Sequence, residues 1–360
     1  MRDEGIPHPS SLRDIGEFGL IRRIAGKAKR KDKSVLVGIG DDAAVINAGA
    51  GLAPAQKGRP QGSPLLITTD SLIEDIHFRR DYPPEAVGWK ALAVNISDIA
   101  AMGGVPEHYL LSLAIPEGIS IEYVDRFVMG MTEAAEEYGL SMIGGDTTSS
   151  PDKFYISVTV LGMGGENVLL RKGARAGDVI FVTGTLGDSA LGLRLLEDKK
   201  VRSWEDERFS TSQPLNLSTS QLIERHLRPT PRVKEGIQLA KIGMVTSMID
   251  ISDGLLCDLG HICEESKVGA RIRIDELPLS QGFNTLSAKY GGIGLALSGG
   301  EDYELLFTVR SKDVKSFMSM TEGTKYTPIG EVLKNKVVEV IGADGSRYLP
   351  KSSGYEHFRR

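Results

Sequence analysis

Six aspartates, Asp42, Asp70, Asp98, Asp146, Asp250 and Asp253, recur where a carboxylate is hard to accommodate. They close apolar runs of strand length or sit on a largely apolar helical stretch. Leu65-Leu66-Ile67-Thr68-Thr69-Asp70 carries the pattern most clearly, ending on two hydroxyls and a carboxylate. In open α/β sheets that rim is where ligands bind. A donor set made only of oxygen suits Mg²⁺ rather than zinc. Singly, each stretch also reads as an Asp-rich turn or an acid at a helix N-terminus. Together they imply more. Two unit charges ~4 Å apart repel by ~4 kcal/mol at an effective dielectric of 20. Several such pairs rival the entire stability of a domain, ~5–15 kcal/mol. If the six converge, cations must neutralise them. Divalent ions beside glycine-rich backbone describe a site for polyphosphate.

The elements that must position these acids follow from hydrophobic periodicity. Residues 35–40 form a short strand before Asp41-Asp42. Neighbouring side chains in extended chain point opposite ways, so one of the two faces a given site. A buried helix runs from Pro83-Pro84 to about Met102, with Asn95 and Asp98 on one face. No Lys or Arg lies within four residues of Asp98, so no local ion pair can form. Residues 109–115 read as a strand and 119–138 as an amphipathic helix. Residues 140–143 read as a strand ending in Gly144-Gly145-Asp146, whose glycines permit close approach of the backbone to a phosphate. Residues 154–163 alternate like an antiparallel strand.

In the second half, strands are expected at 179–183, 245–249, 295–297 and 305–309. Helices are expected at 190–196, from Pro231 to about Ile242, and at 255–266. Gly184-Thr185-Leu186-Gly187-Asp188-Ser189 resembles a phosphate loop but lacks the Gly-Lys-Ser/Thr of a Walker motif, and reads as a strand-to-helix turn. Asp250 and Asp253 flank the N–H groups of a helix start, where a phosphate would bind. The fold class is α/β with mixed sheets in two domains, 1–165 and 166–360, with the seam at Gly162-Met163-Gly164-Gly165. Residues 1–11, 47–64 and 198–220 read as a tail, a loop insertion and a variable linker. Ser11 is read as capping a helix that extends to about Lys29.

Composition narrows the classes. The chain is 41% hydrophobic and 25% charged, as in ordinary globular proteins. Its net charge of −5 offers nucleic acid no global basic field. No apolar stretch of ~20 residues exists to span a membrane, and no signal peptide opens the chain. Cys257 and Cys263, six apart, fit no zinc spacing and read as free thiols in a reducing cytosol, so a cytoplasmic location is expected.

Taken in order, Gly40-Asp41-Asp42-Ala43, Thr68-Thr69-Asp70 with His77-Phe78, Asn95-Ile96-Ser97-Asp98, Gly144-Gly145-Asp146, Asp250-Ile251-Ser252-Asp253-Gly254 and Ser298-Gly299-Gly300-Glu301-Asp302-Tyr303-Glu304 resemble the thiamine-monophosphate kinase family. The likeness spans nearly the whole chain, from Gly16-Glu17-Phe18 to Tyr355-Glu356-His357-Phe358. It implies the aminoimidazole-ribonucleotide-synthetase-like fold, with N-terminal sheets pairing into a homodimer barrel. By family position Asp42, Thr68, Thr69, Asp70, Asp98, Asp146, Asp250 and Asp253 would hold several Mg²⁺ ions. Gly145, Arg171 and Ser252 would contact ATP, and His77, Glu301 and Tyr355 the thiamine monophosphate. One departure stands out. Similar enzymes commonly place a Tyr after Phe127, used in nucleotide binding, where this chain has Val128.

The implied reaction is direct in-line phosphoryl transfer from ATP to thiamine monophosphate. A phosphate monoester has its second pKa near ~6, so the nucleophile is already largely dianionic and needs no general base. Two other readings stay open at this point. One is another ATP-using synthetase of the same superfamily, although a selenophosphate enzyme would carry an early reactive Cys. The other is a non-catalytic nucleotide- or cation-binding protein.

Overall fold

Helix α2 (Pro84–Ala101) lies between two sheets and touches both. Its sequence, PEAVGWKALAVNISDIAA, is apolar on almost every face, and all of its residues but Glu85 and Asp98 are buried. A helix apolar all round belongs inside a protein. The chain is seen here in a computed structural model that describes residues 12–27, 33–47, 63–198 and 217–358. The tail, the Ser11 cap and most of the expected insertion and linker lie outside these residues.

The first sheet is built from β1 (Val35–Val37), β2 (Ala44–Ile46), β3 (Leu65–Ile73), β4 (Val105–Pro116), β5 (Ser141–Ser150) and β6 (Tyr155–Met163), in the order β1-β2-β3-β6-β4-β5. Only β4 and β5 run parallel. β6 alternates between buried and more open positions along its length. The buried side meets α2. The other side leaves Leu110 and Tyr155 exposed.

The second sheet holds β7 (Val179–Thr183), β8 (Val245–Asp250), β9 (Gly269–Arg273), β10 (Leu305–Val309), β11 (Tyr326–Leu333), β12 (Val338–Ile341) and β13 (Arg347–Tyr348). Its order is β13-β12-β9-β11-β7-β10-β8. Around it lie α4 (Asp188–Glu197), α5 (Leu217–Leu227), α6 (Val233–Ile242), α7 (Leu255–Ser266), α8 (Gln281–Tyr290), α9 (Gly294–Ser298) and α10 (Val314–Met320). Phe181 and Phe307 stack at 5.5 Å in its core, with Phe317 and Tyr326 against them. A kinked helix, α1 (Leu12–Lys27), and a second helix on the first sheet, α3 (Ile121–Tyr138), complete the set.

Four expectations are corrected. β3 does not stop at Asp70 but runs to Ile73. β5 does not stop at Gly144 but continues through Asp146 to Ser150, paired with β4. Residues 295–297 are helical, within α9, because Gly299 ends a short turn rather than a strand. The Ser/Thr-rich stretch expected as linker becomes helix from Leu217, since Leu222 and Ile223 reach the core.

Two glycines bring α2 and α3 into backbone contact. A Cβ on Gly88 would stand 1.9 Å from the Phe127 carbonyl oxygen, and one on Gly130 would stand 1.9 Å from that of Glu85. Overpacking there has no flexible neighbour to yield. Gly130→Val should therefore destabilise the protein by about 2–4 kcal/mol, read as a lowered urea midpoint with an unchanged slope.

Candidate active site

The central cluster gathers from three separate elements. Asp42 lies just before β2, Asp98 on α2 and Asp250 at the end of β8, and one carboxylate oxygen of each lies within 4.8 Å of the others. Thr68 Oγ donates to Asp98 Oδ2. Ser97 Oγ donates to Asp250 Oδ2 at 2.6 Å. Asp70 is held beside them through its own backbone N–H, which donates to Asn95 Oδ1 at 3.0 Å. Asn95 and Asp98, three apart on α2, thus serve Asp70 and Thr68, two positions apart on one face of β3.

Among the described residues one fixed cation answers this charge. Arg171 donates from Nε and Nη2 to Asp42 Oδ1, while its backbone N–H donates to Asp41 Oδ1 at 3.2 Å. Both neighbouring acids therefore serve Arg171, one through its side chain and one through its main chain. The second oxygen of Asp42, Oδ2, is buried with no hydrogen-bond partner. Burial drives the Asp250 carboxyl up to about 7, and Asp42 adds to the shift. Burial takes Asp70 to about 6. Burial, then repulsion from Asp70, Asp250 and Asp42, holds Asp98 well above the ordinary carboxylate range. An orphaned buried oxygen within an all-carboxylate set fits a hard divalent cation such as Mg²⁺.

Asp253 stands beside the cluster, its carboxyl raised to about 7 by burial and by Glu17. The expected phosphate-binding N–H groups are already used. Asp258 Oδ2 accepts from the backbone N–H of Ser252, Asp253 and Gly254 at 3.0–3.2 Å. This loop is pinned from within by a carboxylate on α7. The glycine loop before α4 is closed in a similar way, because Asp302 accepts from the N–H of Gly187 and Ser189.

The cluster forms one end of a 1440 Å³ cavity lined also by Arg171, Ser252, His77, Glu301 and Tyr355. A site for one small molecule is typically about 300–1,000 Å³, so two ligands fit at once. At the far end Glu301 pairs with Lys90 Nζ at 2.7 Å and with His226 Nδ1 at 3.2 Å. His77 is neutral: burial lowers it to about 4, and its Nδ1 accepts from the Ile73 N–H. The neutral ring then carries its hydrogen on Nε2. Tyr355 is tied to the Asp253 loop by its N–H. Its ring meets that of His357 edge-on at 4.9 Å.

Two of the sequence-selected residues, Asp146 and Thr69, sit on the other face of the sheet from the cluster, although Thr69 still lines the cavity. Asp146 pairs across β4 and β6, through Ser112 and Ser157, to Ser71 on β3. Three strand spacings of ~4.8 Å put it about 14 Å from that strand, on the open face of the sheet. Thr69 shares that face, where Thr159 Oγ donates to its hydroxyl. Gly145 has a structural role as well. A Cβ there would stand 1.8 Å from the Leu111 carbonyl oxygen, so the glycine admits a neighbouring strand. Val128 is exposed on α3 and does not line the cavity.

Residues 40–164 match the model described as AIR synthase related protein, N-terminal domain, and residues 175–343 match AIR synthase related protein, C-terminal domain. The thiamine-monophosphate kinase of Aquifex aeolicus (strain VF5) is 40% identical over 349 residues, covering 96% of this chain and 99% of that protein. This chain belongs to the thiamine-monophosphate kinase family. The Bacillus subtilis (strain 168) relative is 37% identical over 352 residues, covering 96% of this chain and all of its own length. A solved structure of AaThiL complexed with AMPPCP and TMP superposes with a TM-score of 0.79 at 37% identity, covering 98% of this chain and 100% of the other. The two-domain AIR-synthase-like α/β fold of the family is thus the fold of this chain.

Sequence reasoning passed over Lys90 and His226. Lys90 did leave a signal, as a lone cation on an otherwise apolar helix, eight residues before Asp98. His226 left none, because it lies between the stretch read as linker and the helix expected from Pro231, where no element was assigned.

The raised carboxyls make stability fall as pH rises. In the native cation-free protein Asp250 and Asp253 still bind protons near pH 7, whereas unfolded aspartates have lost theirs. His77, His226 and His261 are neutral in the native state throughout pH 6.5–8.5, while unfolded histidines are about half protonated at pH 6.5, an opposing effect smaller than that of the carboxyls. The melting temperature of cation-free protein should therefore drop between pH 6.5 and 8.5. Added Mg²⁺ should remove most of that drop, as read by calorimetry at both pH values.

Proposed function

We propose that this chain catalyses direct in-line transfer of the γ-phosphoryl group of ATP to thiamine monophosphate, giving ADP and thiamine diphosphate. The observation that carries the reading is the Asp42–Asp98–Asp250 nest, with its orphaned buried Oδ2, at one end of a cavity large enough for two substrates. Family membership, the complex of AaThiL with AMPPCP and TMP, and the thiamine-monophosphate kinase relatives support the choice of substrates.

Asp42, Asp98 and Asp250, with Asp70, Thr68 and Asp253 beside them, would hold Mg²⁺, which when bound neutralises phosphate charge so that two anions can meet. The chain's own residues do the rest by positioning. Arg171 is oriented by Asp42 and Asp41 and keeps N–H groups free to reach a nucleotide phosphate. Ser252 offers its hydroxyl from the pinned loop beside them. His77 presents Nε2–H to the acceptor and cannot accept a proton through that atom. No general base is needed for a dianionic phosphate. Glu301 and Tyr355 line the end that would take the organic part of thiamine monophosphate.

The chain would act as a homodimer. The open face of the first sheet exposes Leu110 and Tyr155, and its edge strand β5 exposes Met142 and Ile143, together an apolar patch suited to a second copy. It also carries Thr69, and it holds Gly145 and Asp146 too far from the cluster within one chain. Pairing the two sheets would let the partner's Asp146 complete the metal and nucleotide site. The domain boundary we assign near residue 165 falls between the two sheets. Among the described residues no helix is long and apolar enough to cross a membrane. We place the reaction in the cytoplasm.

Two measurements test this reading. Asp98→Asn should cut ADP release at least ~100-fold without lowering the melting temperature, because it removes a mutually repelling acid. ATP consumption by the wild type that is indifferent to thiamine monophosphate would overturn the assignment. For the dimer, Asp98→Asn and Asp146→Asn should each be inactive alone. Unfolded and refolded together, they should regain about one quarter of wild-type activity, since half the dimers are mixed and each has one intact site. No recovery would place Asp146 outside the shared site.

A further inference from the structure

Lys90, Glu301 and His226 form a connected set of charged and polar side chains that the reaction chemistry does not require. Lys90 and His226 are buried, and all three line the cavity. They come from three separate elements of the fold. Lys90 rides on α2, which covers the first sheet. His226 ends α5, and Glu301 precedes β10 of the second sheet.

Each member is fixed independently. Arg225 and Arg232 both bind the buried Glu304 carboxylate, which clamps α5 beside β10. Ser189 Oγ lies 3.2 Å from His226 Nδ1. Trp89 Nε1 donates to the Pro229 carbonyl at 2.8 Å, tying the start of α2 to the segment after α5. Glu301 itself has φ 66, in the left-handed region that glycine favours, and its N–H donates to the Ser252 carbonyl. Such backbone persists only where its surroundings over-determine it.

Lys90, Val94 and Asp98 follow one face of α2 at four-residue steps, and all three line the cavity. Eight residues at 1.5 Å rise separate Lys90 from Asp98 by ~12 Å along the axis. The helix therefore spaces the Glu301 end of the cavity from the carboxylate nest.

We propose that Lys90 and His226 are positioning residues for acceptor recognition, holding Glu301 ionised and turned so that its open lone pairs receive the heterocyclic, cationic end of the acceptor. This rests on the acceptor assignment made for Glu301 above. Burial alone would favour a protonated Glu301. The Lys90 charge outweighs it and keeps the carboxyl below its usual range. Lys90 supplies the charge. Neutral His226 can donate only from its Nδ1–H tautomer, which fixes the direction of the second oxygen.

The test is a double-mutant cycle read through two Michaelis constants. Lys90→Met should raise the KM for thiamine monophosphate about 10- to 100-fold and leave the KM for ATP within about twofold. Lys90→Arg should restore part of the loss. Glu301→Gln should raise the same KM, and Lys90→Met/Glu301→Gln should be no worse than Glu301→Gln alone, because Lys90 acts only through Glu301. Multiplying losses in the double variant, or equal rises in both KM values, would overturn the positioning role. If Lys90→Met does not fold, Lys90→Arg and His226→Gln decide by the same comparison against Glu301→Gln. A Glu301→Gln variant with unchanged KM would instead overturn the acceptor assignment itself, a different result from failure of the cycle.

Discussion

Crowded negative charge out of water governs this structure. Asp42, Asp98 and Asp250 bring carboxylate oxygens within 4.8 Å of one another, with Arg171 as their fixed cation. In water such groups would separate. Here three elements far apart in sequence hold them together, and their protonation equilibria move upward in response. The stability needed to impose this arrangement comes from the apolar burial of α2 and of the two sheets it separates. The helix that carries Asp98 is also among the most completely buried in the chain. A stiff, desolvated scaffold is the physical condition for keeping like charges in register.

The same logic runs through the connection Glu301-Asp302-Tyr303-Glu304. Glu301 and Tyr303 both have positive φ, at 66° and 51°. That costs roughly 1–3 kcal/mol at each non-glycine position. The turn is held by what its side chains reach. Glu301 faces Lys90 and His226, Asp302 caps the start of α4, and Glu304 binds two arginines and Thr183. Successive acids leave the chain in different directions, each to a waiting donor. Two of these acids hold the fold together, while Glu301 is left facing the cavity.

Legibility in the sequence followed the range of the interaction. Elements set by local periodicity, such as α7 over Leu255–Ser266 and β10 over Leu305–Val309, were readable because their apolar spacing and flanking glycines lie within one window. The pairing of Asn95 and Asp98 was readable from helical geometry. What failed was non-local. Nothing within its own helix singles out Asp258, yet its carboxylate fills the N–H groups that a phosphate was expected to use. Gly145 is legible as a glycine that admits a phosphate, whereas its other use, making room for Leu111 of the next strand, is not. Asp146 carries the same local signature as Asp70, but nothing in a short stretch tells which face of which strand it will occupy.

The two ends of the cavity solve the problem of buried charge in opposite ways, and the difference has a consequence. At the Glu301 end a lysine supplies the counter-charge permanently, so that end is neutralised before any ligand arrives. At the Asp42–Asp98–Asp250 end Arg171 answers only part of the charge, and Asp42 Oδ2 stays without a donor. A second lysine there would relieve the repulsion, but it would also occupy the place of an exchangeable cation. Leaving the deficit open makes closure of the nest conditional on cations that enter from solution. An unaccompanied anion meets a negative field at that end. A nucleotide arriving with divalent ions meets an attractive one. On the reading proposed above, the same carboxylates that strain the fold would select for a metal-bearing polyphosphate, leaving the pre-neutralised end to discriminate by shape and hydrogen bonding.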